Sequence, residues 1–131
     1  YKDSCVEFFI SFNNEAEYYN MEFNCTGTCL MGYGSKKTDR VLVSKKRIDK
    51  INRSAIIGHD EADVSWELTI MIPLETFSFH NITSLKDKRC RANFYKCGDE
   101  LPQPHYLAWN NIISKVPNFH LPHFFGEINF V

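Results

Sequence analysis

The sequence has no apolar run approaching the roughly 20 residues that a membrane-spanning helix requires. It also carries no excess of either charge, since 15 Lys and Arg stand against 16 Asp and Glu. The first absence argues against a bilayer-spanning helix and the second against nucleic acid, whose phosphates call for a concentrated basic patch. The one basic run, Lys45-Lys46-Arg47, is flanked by Ser44 and Asp49 and reads as a solvated turn or edge. Only 6 Gly and 5 Pro are present, too few for a low-complexity chain. No helical apolar period lasts beyond two turns. The five Cys are odd in number and include no CxxC pair. Cys25 and Cys29 are too far apart along one strand to bridge, and Cys90 and Cys97 fall on opposite faces of another. Buried free thiols are therefore expected, not a full disulfide framework. The sequence shows neither an initiator Met nor a signal peptide, and a strand begins almost at Tyr1; we expect that upstream sequence has been removed.

What is present is a chain of 131 residues, 44% hydrophobic and 15% aromatic, with 11 Phe. That length and composition favour one globular domain with a core of strands packed face to face. Residues 3–24 organise the rest. Val6, Phe8, Ile10 and Phe12 alternate with Cys5, Glu7, Phe9 and Ser11, so the two sets face opposite ways. Tyr19, Met21 and Phe23 then share a face, with Tyr18, Asn20, Glu22 and Asn24 on the other. Asn13-Asn14-Glu15 between the runs is turn chemistry, because Asn tolerates the left-handed conformation. The predicted hairpin has one greasy face and one that carries carboxylates, amides and an aromatic ring.

Downstream, residues 26–34 read as a strand whose glycines suggest bulges or close backbone approach. Residues 40–44 and 53–57 read as short strands, and 48–51 as a strand or turn. Residues 64–72 are the clearest core strand, with Val64, Trp66, Leu68, Ile70 and Ile72 on one face; Trp66 is read as core. Pro73 ends it. Residues 74–79 suit one helical turn. Residues 89–97, 105–109 and 126–131 read as strands, and prolines hold 116–125 extended. Many short strands with frequent turns predict an all-β antiparallel sandwich, immunoglobulin-like or jelly-roll. No cofactor is expected. The acidic loop at residues 58–63 offers oxygen ligands to Ca²⁺ but lacks the ordered spacing of a calcium loop.

Five blocks together carry a resemblance: DSCVEFFISF; YYNMEFN with TGTCL; WELTIMIPLETF; RANFYKCGDELPQPHYLAWN; and PNFHLPHFFGEINF. In this order they resemble the carbohydrate-binding module family 9-like domain, in the version with a closing FH-P-FFG-E-F signature associated with Bacteroidetes. The resemblance implies a β-sandwich that binds glycan outside the cytoplasm, in the periplasm or beyond the cell, often attached to polysaccharide-degrading enzymes. It implies that a W-x-x-DS-x-E block supplies an aromatic wall and a carboxylate. These positions fall on Glu7, on Asp3, and on Tyr1 or a residue before it. A second aromatic wall corresponds to Trp109 and an asparagine to Asn24. Relatives also carry upstream strands, so an incomplete sandwich with an exposed edge, or a companion segment, is expected.

Sugar binding needs an apolar platform for the C–H face of the ring and fixed polar groups for its hydroxyls. Glu7 either bonds sugar hydroxyls, faces solvent or pairs with Arg91 across the sheet. Trp109 is either a platform or a core or rim residue. His105, His120 and His123 could approach one another, although the last two point to opposite faces of an extended segment. Glu7 and Glu22 could face each other across the hairpin, which keeps a glycoside hydrolase-associated fragment as an alternative. A third reading is a structural interaction domain whose sugar site has decayed. A non-catalytic carbohydrate-binding domain is the preferred one.

Overall fold

The computed structural model describes residues 4–59 and 64–131. Nine strands are described: β1 (Cys5–Ser11), β2 (Tyr18–Asn24), β3 (Cys29–Gly34), β4 (Val41–Leu42), β5 (Asn52–His59), β6 (Val64–Met71), β7 (Arg89–Gly98), β8 (His105–Ala108) and β9 (Gly126–Asn129). Seven form one sheet in the order β4-β3-β2-β1-β7-β8, with β9 also paired to β7. The hairpin of β5 and β6 forms a second, two-stranded sheet. Every pairing is antiparallel. The domain is an antiparallel β-sandwich, as the strand pattern implies.

The first hairpin forms as the sequence predicts. Asn13 and Asn14 take φ of 54° and 57°, the left-handed region that Asn tolerates. Glu7 then lies directly opposite Glu22, and Phe9 opposite Asn20. Alternation along β1, β2 and β7 gives the large sheet two different faces. On one face Ile10, Phe12, Tyr19, Met21, Phe23, Met31, Cys90 and Ala92 are buried, and Leu68 and Ile70 of the small sheet pack onto them. Full burial of a side chain such as Phe23 contributes roughly 1.5–3 kcal/mol. The other face carries Phe9, Tyr18, Tyr95 and Phe125 in a separate cluster, covered in part by Ile112 and Phe119.

Four local readings need correction. Residues 45–48 form a single helical turn, α1 (Lys45–Ile48), where a solvated turn or edge was expected; at 48–51 the turn forms, of the two alternatives. β3 starts at Cys29 because the Asn24 side chain holds residues 24–28 in a turn. The last proline of the 116–125 stretch does not keep its neighbours extended: Pro122–Phe124 is a 3₁₀ turn with Pro122 at its first position, where the missing N–H costs nothing. Trp66 is only half-buried. It lies outside both buried clusters, and its Nε1 donates to Ser4 Oγ at 3.2 Å.

Candidate functional site

The polar face is built around β1 and β2. Glu22 Oε1 accepts from Asn20 Nδ2 at 2.8 Å and from Arg40 NH1, also at 2.8 Å. Arg40 reaches it from beyond β3 by crossing Gly32, where a Cβ would stand 3.0 Å from Arg40 Cδ and 2.9 Å from Asn20 Oδ1. The close approach that the glycines of residues 26–34 suggested is this crossing. Glu7, Glu22, Lys37, Arg40, Asp99 and His120 line a cavity of about 400 Å³. His120 hydrogen-bonds the Tyr18 hydroxyl at 2.8 Å through Nδ1 and rests on Phe9. Its burial, with Arg40 and Lys37 nearby, pulls its pKa down to about 4, so the ring is neutral.

Glu7 is not the solvent-facing residue that one reading expected, nor does it pair with Arg91. It is only 9% exposed, and Arg91 donates instead to the Pro122 carbonyl. Its Oε1 accepts a weak bond from the Cys97 thiol at 3.5 Å. Burial, then the charge of Glu22, pushes its carboxyl up to about 9. Among the described residues it has no cationic partner within ion-pair distance. The expected opposition of Glu7 and Glu22 is real, and it joins a protonated carboxyl to one held by an arginine.

The opposite face carries an aromatic shelf. Phe8 and Phe94 lie opposite each other in register and stack, their ring centres 4.8 Å apart. Trp109 stands edge-on to Phe94 at 5.8 Å, and its backbone N–H donates to the Phe94 carbonyl at 2.8 Å. Its ring lies over Gly126, where a Cβ would come within 2.7 Å of Cζ3. Trp109 remains 56% exposed. Phe94, Lys96, Leu107 and Trp109 line a shallow cavity of about 310 Å³. Phe94 is shared with an apolar cleft of about 420 Å³ beneath Ile70 and Ile72. Lys96 Nζ bonds His105 Nε2 at 2.9 Å and lies 5.8 Å from the Trp66 ring centre.

Glu7 and Trp109 are therefore on opposite faces of one sheet, and no single sugar ring reaches both. Asn24 belongs to neither place: its Oδ1 accepts from Thr26 N, Thr26 Oγ1 and Thr28 N, which makes it the organiser of the β2–β3 turn. Tyr1 and Asp3 lie outside the described residues, as do residues 60–63 of the acidic loop considered for Ca²⁺. The three histidines do not converge; His120 bonds Tyr18, His105 bonds Lys96 and His123 packs on Phe124. Arg40, Asp99 and Lys96 were missed. Two of them sit just outside or at the end of a strand, and only the strand order reveals what they face.

The model of carbohydrate-binding family 9 matches residues 1–130. The chain belongs to that family. The family 9 domain is also similar to the crystal structure of a proposed carbohydrate-binding protein from Bacteroides uniformis, with 37% identity and a TM-score of 0.89. That similarity covers 99% of this chain and 62% of the other, so the chain spans less than two-thirds of that structure's length. No curated protein matches the family 9 domain. No helix among the described residues is long and apolar enough to cross a membrane.

Proposed function

We propose that this family 9 domain is a non-catalytic sugar-binding domain that stacks one sugar ring on Trp109 and Phe94. The observation that carries the reading is Trp109 itself, half in solvent yet fixed on Phe94 and Gly126. A platform of this kind offers a rigid π-face to the C–H face of a ring at little cost in conformational entropy. Lys96 lines the same cavity, and its ammonium is held by Ser4 Oγ, the Cys97 carbonyl and His105 Nε2, so it forms a fixed polar wall of the shelf. Family membership supports a sugar ligand. Work alongside a polysaccharide-degrading enzyme, outside the cytoplasm, extends the same reading. Calorimetric titration with xylan, cellulose, their oligosaccharides and simple sugars tests it. Binding that disappears in Trp109→Ala and weakens in Lys96→Ala supports the shelf; binding unchanged in both variants rejects it.

A second reading rests on the other face. Glu7 and Glu22 open onto one cavity, one carboxyl protonated by burial and the other paired with Arg40, and glycoside hydrolysis uses two carboxyls in unlike environments. Under that reading, release of reducing sugar from the same glycans disappears in Glu22→Gln. No release from any of them rejects it.

A further inference from the structure

The polar face holds a cluster that sugar binding on the Trp109 shelf does not use. Cys5 and Cys97 are directly opposite each other in the β1–β7 register. Glu7 is two residues beyond Cys5, so its side chain emerges on the same face. One ligand atom from each of Cys5, Glu7 and Cys97 can be chosen so that all three lie within 4.8 Å of one another. Cys97 Sγ and Glu7 Oε1 are 3.5 Å apart. All three residues are buried, with Cys5 at 2% and Cys97 at 3% exposure.

This environment is hard to account for as packing alone. Among the described residues the Glu7 carboxyl has only a weak S–H donor, whereas buried polar groups ordinarily find strong partners. The spacing suits a cation. At ordinary zinc bond lengths, a sulfur and an oxygen on one tetrahedral ion stand about 3.5 Å apart, and two sulfurs about 3.8 Å. In the observed triangle the Cys97–Glu7 edge is 3.5 Å and no edge exceeds 4.8 Å, a size from which small side-chain shifts reach those distances. Glu7 also lines the 400 Å³ cavity, whose other acidic residues are Glu22 and Asp99. Lys37 and Arg40 share that lining, Arg40 paired with Glu22, and the cavity gives an ion a route in.

We propose that Cys5, Glu7 and Cys97 form a three-ligand site for a thiophilic divalent cation of the zinc type, with its fourth position open toward the cavity. On binding, the two thiols and the carboxyl release their protons to solvent, and no electron transfer is involved. Two thiolates select a borderline-soft ion over Ca²⁺ or Mg²⁺, which prefer all-oxygen shells. The site is separate from the Trp109 shelf and stands whether or not the shelf binds sugar.

The test is titration of the reduced, metal-stripped protein with Co²⁺, followed by displacement with Zn²⁺. The expected result is one equivalent per chain, with thiolate-to-metal charge-transfer bands and tetrahedral visible bands that vanish as Zn²⁺ is added. Cys5→Ser and Cys97→Ser should abolish the bands. Glu7→Gln should weaken binding by more than the roughly 10–100-fold that loss of an outer-shell partner costs. Cys90→Ser, a buried thiol on the other face, should leave binding unchanged, and thermal melts report whether each variant is folded. Absence of thiolate bands in the folded wild type overturns the proposal, as does a full signal in Cys97→Ser. So does a Cys5–Cys97 disulfide in protein isolated without reductant, shown by three free thiols and a cross-linked peptide.

Discussion

The two faces of the large sheet are made by the same strands and solve opposite problems. Toward the β5–β6 hairpin, the strands present Ile10, Phe12, Met21 and Phe23, residues that need volume and little else; Tyr19 beside them is the exception, its hydroxyl bonded to His80 and Phe79 N. Toward the 111–125 segment, the same strands present Glu7, Asn20, Asn93, Tyr18 and Cys97, which need named partners. Tyr95 shows the difference within the second cluster: its ring stacks on Phe119 at 4.2 Å while its hydroxyl donates to the Phe119 carbonyl at 3.2 Å. The comparison teaches that the hydrophobic effect sets the first face and hydrogen-bond geometry sets the second. Candidate chemistry follows from that division. A buried carboxyl, two thiols and an arginine-held glutamate occur on the face where polar side chains are concentrated. The shelf at Trp109 belongs to the other face, where aromatic surface is in surplus and emerges at the rim.

The largest effect should come from the apolar face. Phe23→Ala leaves a cavity between the two sheets and is expected to cost about 3–5 kcal/mol, read by urea unfolding. A loss below 1 kcal/mol would mean that the hairpin does not pack there as described. On the polar face the sharper probe is Asn93. Its Nδ2 donates to the Asn110 carbonyl at 2.9 Å, and its Oδ1 accepts from Asn110 N at 2.8 Å. Asn93→Ala strips both partners and is expected to cost about 1–3 kcal/mol, despite removing almost no apolar surface. If Asn93→Ala proves neutral, the contrast between the faces fails.

Titration separates the faces next. His120 is neutral in the folded protein because burial, with Arg40 and Lys37 in support, lowers its pKa to about 4 from 6.5. A lowered histidine contributes stability above pH 6.5 that is lost as pH falls from 6.5 toward 4. The urea midpoint should therefore drop over that window, and His120→Gln should flatten the drop relative to wild type. An unchanged slope in His120→Gln would place the acid sensitivity elsewhere. The smallest effect on stability is expected at the shelf. Gly126→Ala puts a methyl group against the far edge of the Trp109 ring, which can swing away. It should alter tryptophan fluorescence and weaken sugar binding while shifting stability by less than about 1 kcal/mol.

Much of this was legible in the sequence because strand alternation has a period of two. The two faces of β1, β2 and β7, the left-handed turn at Asn13 and Asn14, and the opposition of Glu7 and Glu22 all follow from spacing. What spacing cannot carry is the order of strands in space. β7 lies beside β1 although some 80 residues separate them, and only that pairing brings Cys97 to Cys5. The same limit explains the candidate site. Glu7 and Trp109 were grouped by resemblance, yet the register pairs Glu7 with Tyr95 and Phe8 with Phe94, and so sends the two candidates to opposite faces. Asn24 was legible as a polar strand residue but not as the acceptor of three bonds in its own turn, because that depends on the fold of residues 25–28. Alternation places Trp66 on the core face of its strand, and its partial burial depends on how far the hairpin overlies the large sheet.

The central claim is that the family 9 domain holds a sugar on Trp109 and Phe94 and not in the charged cavity across the sheet. Calorimetric titration of one bound glycan into wild type, Trp109→Ala and Arg40→Ala tests it most directly, with each variant shown to be folded. The account predicts that Trp109→Ala abolishes the heat of binding and Arg40→Ala leaves it unchanged. Loss of binding in Arg40→Ala with full binding in Trp109→Ala would contradict it and move the sugar to the Glu22–Arg40 cavity.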